Sequence, residues 1–162
     1  MDIYFSHLRV AWAMVQTCPF ISAHLRALAL ATEVEDRVLA AMRLASASED
    51  VSVTRAEGHF GTPIAVLEVR LDKSRDIRRL MGRLEEFGLR AALAGQAEAR
   101  VDDERVFHFR LDKQKAFLGE LSPATGKDVI DVAMKVGVYP ASREAAVRAV
   151  EEWLGGKGSK VL

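Results

Sequence analysis

The sequence predicts an α+β fold, a two-layer sandwich in which a mixed, mostly antiparallel five-stranded sheet carries helices packed on one face. Three observations predict it. Strand-like and helix-like segments alternate as strand-helix-strand-strand-helix-strand-helix-strand-helix, with short links. The strand segments alternate apolar and polar residues, the period expected of a sheet with one wetted face. One stretch also occurs twice: Val69-Arg70-Leu71-Asp72-Lys73 returns forty residues later as Phe109-Arg110-Leu111-Asp112-Lys113. Each copy reads as strand, cap and helix, because an Asp carboxylate can accept from the first free helix N–H groups.

Residues 1–20 read as an N-terminal extension, 21–156 as one α+β domain and 157–162 as a flexible basic tail. In the extension, Leu8, Val10, Trp12 and Met14 alternate like a strand, whereas Phe5, Leu8, Trp12 and Val15 fit a helical face. Both periods fit, and Met14 offers an alternative start. Ile21 to Ala31 is the first strand. Thr32-Glu33-Val34-Glu35 has the form of a capping box, and Val34, Val38, Met42 and Ala45 make the stripe of the first helix. Val51 to Glu57 and Pro63 to Leu71 are the second and third strands. The loop between them, Gly58-His59-Phe60-Gly61-Thr62, carries an imidazole and an aromatic ring at its tip.

Asp72 is placed to cap a second helix, with Ile77, Leu80, Met81 and Leu84 inward and Arg75, Arg78, Arg79 and Arg83 elsewhere on its surface. Gly88 or Gly95 closes that region. Arg100 to Glu104 is a charged turn, and the fourth strand runs about Arg105 to Leu111. A short helix follows Asp112, and residues 122–126 form a loop. Asp128 to Val138 is the fifth strand. Ser142 caps a last helix whose Val147, Val150, Trp153 and Leu154 face the core.

The totals fit this fold. A chain of 162 residues suffices for one domain with a proper core, and 49% hydrophobic with 28% charged residues is an ordinary globular balance. A net charge of zero argues against a strongly basic nucleic-acid coat but allows a local basic face. The one cysteine, Cys18, excludes an internal disulfide and suits a reducing cytoplasm, the expected location. No apolar run approaches the roughly 20 residues needed to cross a bilayer, so no membrane partner is expected. Asparagine is absent and arginine far outnumbers lysine, a usage that fits a thermophile or a GC-rich genome equally well.

Catalytic signatures are missing. His7, His24, His59 and His108 stand far apart, without cysteines or paired carboxylates at ligand spacing, so no metal and no cofactor are expected. Neither a Gly-x-Ser-x-Gly elbow nor a Cys/His pair offers a nucleophile, and the chain is not expected to be an enzyme. The candidate chemistry is cationic. With Leu67, Val69, Leu71, Phe107, Phe109 and Leu111 inward, Glu68, Arg70, His108 and Arg110 point outward. His24, Arg26, Thr54 and Lys135 join them on an open sheet face. Lys73 and Lys113 fall at helix starts, where the dipole favours anions; such local conflicts collect at functional positions.

Several short segments then occur in a telling order: Ala31-Thr32-Glu33 entering a helix, Glu57-Gly58-His59-Phe60-Gly61-Thr62-Pro63-Ile64, Arg110-Leu111-Asp112-Lys113-Gln114, Gly119-Glu120-Leu121, and Lys135-Val136 with Tyr139-Pro140. Over about Ile21 to Leu154 the chain resembles the archaeal RNA-binding protein family described as a predicted exosome-associated subunit. That family's fold is similar to the ribosomal protein that docks 5S ribosomal RNA. Phe60 and Thr62 stand where the family pattern has Tyr and Asn. The resemblance implies a noncatalytic RNA-binding protein of an archaeal cytoplasm. Its implied setting is RNA processing or exosome-linked degradation, with a structured RNA and exosome or other RNA-processing proteins as partners. On this reading Arg70, Lys73, Arg75, Arg78, Arg79, Arg110, Lys113 and Lys115, with Arg83 beside them, hold phosphates, and His59 and Phe60 contact bases. The alternative is a protein-interaction or oligomerisation module, a homodimer included, that uses the open face or the Ile3–Val15 segment without touching RNA.

Overall fold

The structure, a computed structural model, describes residues 18–155. The readings made for the first seventeen residues and for the tail at 157–162 lie outside the described residues. Five strands, β1 (Phe20–Leu30), β2 (Ser52–Glu57), β3 (Pro63–Leu71), β4 (Val106–Asp112) and β5 (Val129–Val136), form one sheet in the order β2-β3-β1-β5-β4. Every pairing in it is antiparallel. Three long helices, α1 (Glu35–Ser46), α2 (Ser74–Glu86) and α6 (Arg143–Leu154), cover one face. Three short ones, α3 (Leu89–Ala92), α4 (Ala97–Arg100) and α5 (Lys113–Phe117), fill the corners of that layer.

The alternation read from the sequence decides which face is covered. β1 buries Ala23, Leu25, Ala27 and Ala29, β3 buries Leu67, Val69 and Leu71, and β4 buries Phe107, Phe109 and Leu111. These meet Val38, Met42 and Ala45 of α1, Ile77, Leu80 and Leu84 of α2, and Val147, Val150 and Trp153 of α6. The removal of this apolar surface from water is the main force holding the layers together. Phe20 stands edge-on to Trp153 with ring centroids 5.0 Å apart and stacks on Phe107 at 6.1 Å, which ties the start of β1 to α6.

The two copies of the repeated stretch share their strands but differ at their caps. Asp112 accepts from the Lys115 N–H at 2.9 Å, as an N-cap should. Asp112→Ala is expected to cost about 1 kcal/mol, read as a lower urea midpoint with an unchanged slope. In the other copy α2 begins only at Ser74, Lys73 takes the capping position, and no side chain caps the helix. Asp72 lies one residue too early to reach the free N–H groups, so the cap expected there does not form. The capping box at Thr32 does not form either. Val34 holds the cap position of α1 without a side-chain bond, Glu33 turns back to the Leu30 N–H at 2.9 Å, and Glu35 pairs with Arg55 of β2. Cross-element partners for the two carboxylates win over local capping. Gly88 and Gly95 are both at positive φ: Gly88 leads into the single-turn helix α3, and Gly95 separates α3 from α4, two helices absent from the sequence expectation.

Candidate nucleic-acid interface

Among the described residues no helix packs on the second face of the sheet, and the register places its side chains in rows. Across one row run Arg70 of β3, His24 of β1, Ala133 of β5 and His108 of β4. The next row holds Ser52, Glu68, Arg26, Asp131 and Arg110. Arg70 and Arg110 therefore stand three strand spacings and one diagonal step apart, roughly 16 Å. Arg26, His24 and His108 fill the space between them. Both arginines of the repeated stretch do reach the open face.

Acidic side chains temper this face without neutralising it. Arg110 Nε donates to Asp131 Oδ1 at 3.0 Å, with both side chains about half exposed. His24 pairs with Glu68 at 3.1 Å and His108 with Asp102 at 2.7 Å. Burial works to raise the Asp102 pKa, but hydrogen bonds from His108 and from the Val106 and Glu104 backbone outweigh it and hold the carboxyl below its ordinary value. Arg26 lies beside both Glu68 and Asp131 in the register, yet those acids bond to His24 and Arg110. Among the described residues, Arg26 and Arg70 enter no ion pair and present their guanidinium groups to solvent.

The remaining cations divide. Lys113 is 4% exposed. Its Nζ is enclosed by both Glu33 oxygens at 2.8 and 2.9 Å, Asp128 Oδ1 at 2.7 Å and the Leu28 carbonyl at 2.8 Å. The reason lies in the sheet. β1 and β5 part beyond the Arg26–Asp131 pair, and the Leu28 carbonyl takes its hydrogen bond from the lysine. Lys113 is thus a buried structural cation, and its expected place among the phosphate ligands is corrected. Arg83 is also structural, donating to the Leu44 carbonyl at 2.7 Å in the last turn of α1. Arg75, Arg78 and Arg79 are exposed on α2, but α2 belongs to the helix layer behind the sheet, as does Lys115 on α5. Lys73 lies exposed in the turn between the two layers. The structure does not gather these residues with Arg70 and Arg110.

The glycine loop stands at the far end of β3 from Arg70, roughly 25 Å away at the rise of a strand. Phe60 is 95% exposed and sits at φ 64°, a left-handed conformation that bulky residues rarely adopt. His59 stands edge-on to it at 4.4 Å. Gly58 packs closely on Ile64, where a Cβ would lie 2.5 Å from Ile64 Cδ1 and push that side chain aside. Below the loop, the open face is apolar: Leu28, Leu30, Ile64 and Val66 share adjoining rows. The face thus passes from an aromatic tip over an apolar strip to a field of arginine and histidine.

Two cations missed as site residues also belong here. Arg26 was legible from its alternation with His24. Arg100 was not, because only the fold brings the end of α4 over the edge of β4, where its Nη1 donates to the His108 carbonyl at 3.4 Å. Among the described residues there is no group of His, Cys, Asp and Glu that could hold a metal ion, and no helix long and apolar enough to cross a membrane.

Residues 22–136 match a protein family described as RNA binding. The chain is 40% identical over 138 residues to the RNA-binding protein PAB1135 of Pyrococcus abyssi, an alignment covering 78% of this chain and 88% of that protein. Its fold is similar to that of Mth689, a DUF54 protein from Methanothermobacter thermautotrophicus, with a TM-score of 0.71 and 33% identity, covering 83% of this chain and 98% of the other. The family span begins in β1 and ends at the last residue of β5, so it contains all of the five-stranded sheet but the first two residues of β1. The chain belongs to this RNA-binding family.

Proposed function

We propose that the chain is a noncatalytic RNA-binding protein that holds RNA on the uncovered face of its sheet. Arg26, Arg70 and Arg110 take phosphates, and Phe60, with His59 against its edge, offers a ring on which a base can stack. One observation carries this reading: exposed guanidinium groups stand on the open face, an exposed, left-handed phenylalanine tops the loop between β2 and β3, and an apolar strip of that face lies between them. Arginine supplies the salt-sensitive, sequence-tolerant part of such binding, and an aromatic ring supplies stacking open to any base. Lys73 extends the cationic rim. Exposed Arg75, Arg78, Arg79 and Lys115 give a second, weaker basic surface on the helix side. The finer setting we propose is RNA processing linked to the exosome, which rests on the likeness to the archaeal family alone.

A fluorescence-anisotropy titration with a short single-stranded RNA tests the reading. Phe60→Ala is expected to weaken binding about tenfold, since a stacked base contributes about 1–3 kcal/mol, while leaving the salt dependence unchanged. Equal affinities of wild type and variant would remove the stacking role.

A second reading, contact with another protein chain, is favoured by the free edge of β2, exposed along all six residues, and by the apolar strip beside it. Solution mass by light scattering separates the two, because a homodimer through this edge would persist without RNA.

A further inference from the structure

We propose that the open face ends in a pocket for a terminal phosphomonoester of RNA, formed between β1, β5, β4 and the loop at 122–126. The proposal rests on the RNA-binding reading above and names the part of the RNA that one place on the face receives.

The sheet face is not flat throughout. Over β5 it sinks into a depression of about 550 Å3, within the range of pockets that accept a small ligand. The register explains the hollow: Ala133, with only a methyl group, stands between His24 and His108. On the far side the loop rises as a wall. Ala124 donates its N–H to the Arg110 carbonyl at 2.9 Å, and Pro123 bridges to Leu111, so the loop is fastened along the outer edge of β4. Ala124 and Thr125 of this wall line the depression. A strand of RNA crossing the face from the Phe60 side meets the wall there, and an end fits better than a continuing chain.

The charge favours the same ligand. Arg26, Arg100 and Arg110 reach the depression from three different elements, against the single lining carboxylate of Asp131. Two of these arginines are held in place while keeping nitrogens available. Arg110 uses Nε on Asp131, and Arg100 uses Nε on Gln96 Oε1 at 2.7 Å and Nη1 on the His108 carbonyl at 3.4 Å, which leaves its Nη2. An internal phosphodiester carries one negative charge. A terminal monoester carries about −1.5 to −2 at neutral pH and three free acceptor oxygens, which suits convergent guanidinium groups.

The test compares one RNA decamer made with a 5′-phosphate, with a 3′-phosphate and with hydroxyls at both ends, titrated at fixed salt. One phosphate-ended form is expected to bind about tenfold more tightly than the hydroxyl form, and which one does so identifies the end that is held. Ala133→Leu, which fills the hollow from the solvent side, and Arg100→Ala, at a half-buried helix end, should each abolish that preference. Arg70→Ala should weaken all three RNAs alike and preserve it. Equal binding of the three RNAs by the wild type would overturn the pocket while leaving RNA binding on the face intact. A preference that survives both pocket variants would overturn it too. Failure of every RNA to bind would instead remove the reading on which the pocket rests.

Discussion

Changing Arg26, Arg70 and Arg110 together to alanine is expected to lower affinity for a single-stranded RNA roughly a hundredfold. Each exposed guanidinium–phosphate pair should contribute about 1 kcal/mol, close to a factor of five, so that three together come to about a hundredfold. The salt dependence offers a sharper sign than the affinity. Each phosphate deprived of its arginine should reduce the slope of log K against log salt by about 0.7, so the triple variant should fall short of the wild-type slope by about 2. Stability should hardly move, since two of the three make no ion pair among the described residues and the Arg110–Asp131 pair is half exposed. A melting temperature close to wild type together with a weaker, flatter salt profile would place the binding energy on this face.

The second large effect concerns folding. Lys113→Met is expected to destabilise the protein by about 3 kcal/mol, a fall of roughly 10 °C in melting temperature, because removing one partner of a buried ion cluster leaves the others uncompensated. Methionine preserves the bulk of the lysine stem but not its charge. Glu33 would keep a carboxylate against Asp128, and the Leu28 carbonyl would lose its donor. RNA affinity of the folded variant should stay within about twofold of wild type, since a buried ammonium meets no phosphate. The cluster also predicts a pH signature. A hydrogen bond from Lys113 lowers the Asp128 pKa, burial opposes it, and a bond from Gln114 adds to the lowering. A folded pKa below the unfolded one gives stability that is present above the unfolded value, about 3.9, and is lost as pH falls through the folded value. Urea titrations below pH 4 should therefore show a loss in wild type that is smaller in Lys113→Met, where the Gln114 bond and the Asp102 carboxyl still contribute.

The fold was legible because alternation is a strong signal when one sheet face is buried and the other wet. Leu67, Val69 and Leu71 against Glu68 and Arg70 assign the faces of β3 from sequence alone, and β3 runs from Pro63 to Leu71 as read. The two arginines on the open face follow from the same rule. What misled was the identity of the repeated stretch beyond its strands. The same Asp-Lys pair gives an exposed lysine and an idle carboxylate after β3, but a working cap and a buried lysine after β4. The difference is made by Glu33, Asp128 and the Leu28 carbonyl, which come from elsewhere in the chain and which no local pattern contains. Arg100 was illegible for a similar reason: only the loop and strand pairings at the edge of β4 give its position meaning. The sequence crowds Arg75, Arg78, Arg79 and Arg83 onto α2, yet helix periodicity says nothing about which layer their solvent side belongs to.

Ultraviolet crosslinking of the protein to a uridine-rich RNA, followed by mass spectrometry of the attached peptides, bears most directly on where the RNA lies. Crosslinks should fall on peptides holding His24 and Arg26, the His59–Phe60 tip, and His108 to Arg110. Crosslinks confined to α1, α2 and α6, with those three peptides unlabelled, would put the RNA on the helix layer and contradict the account.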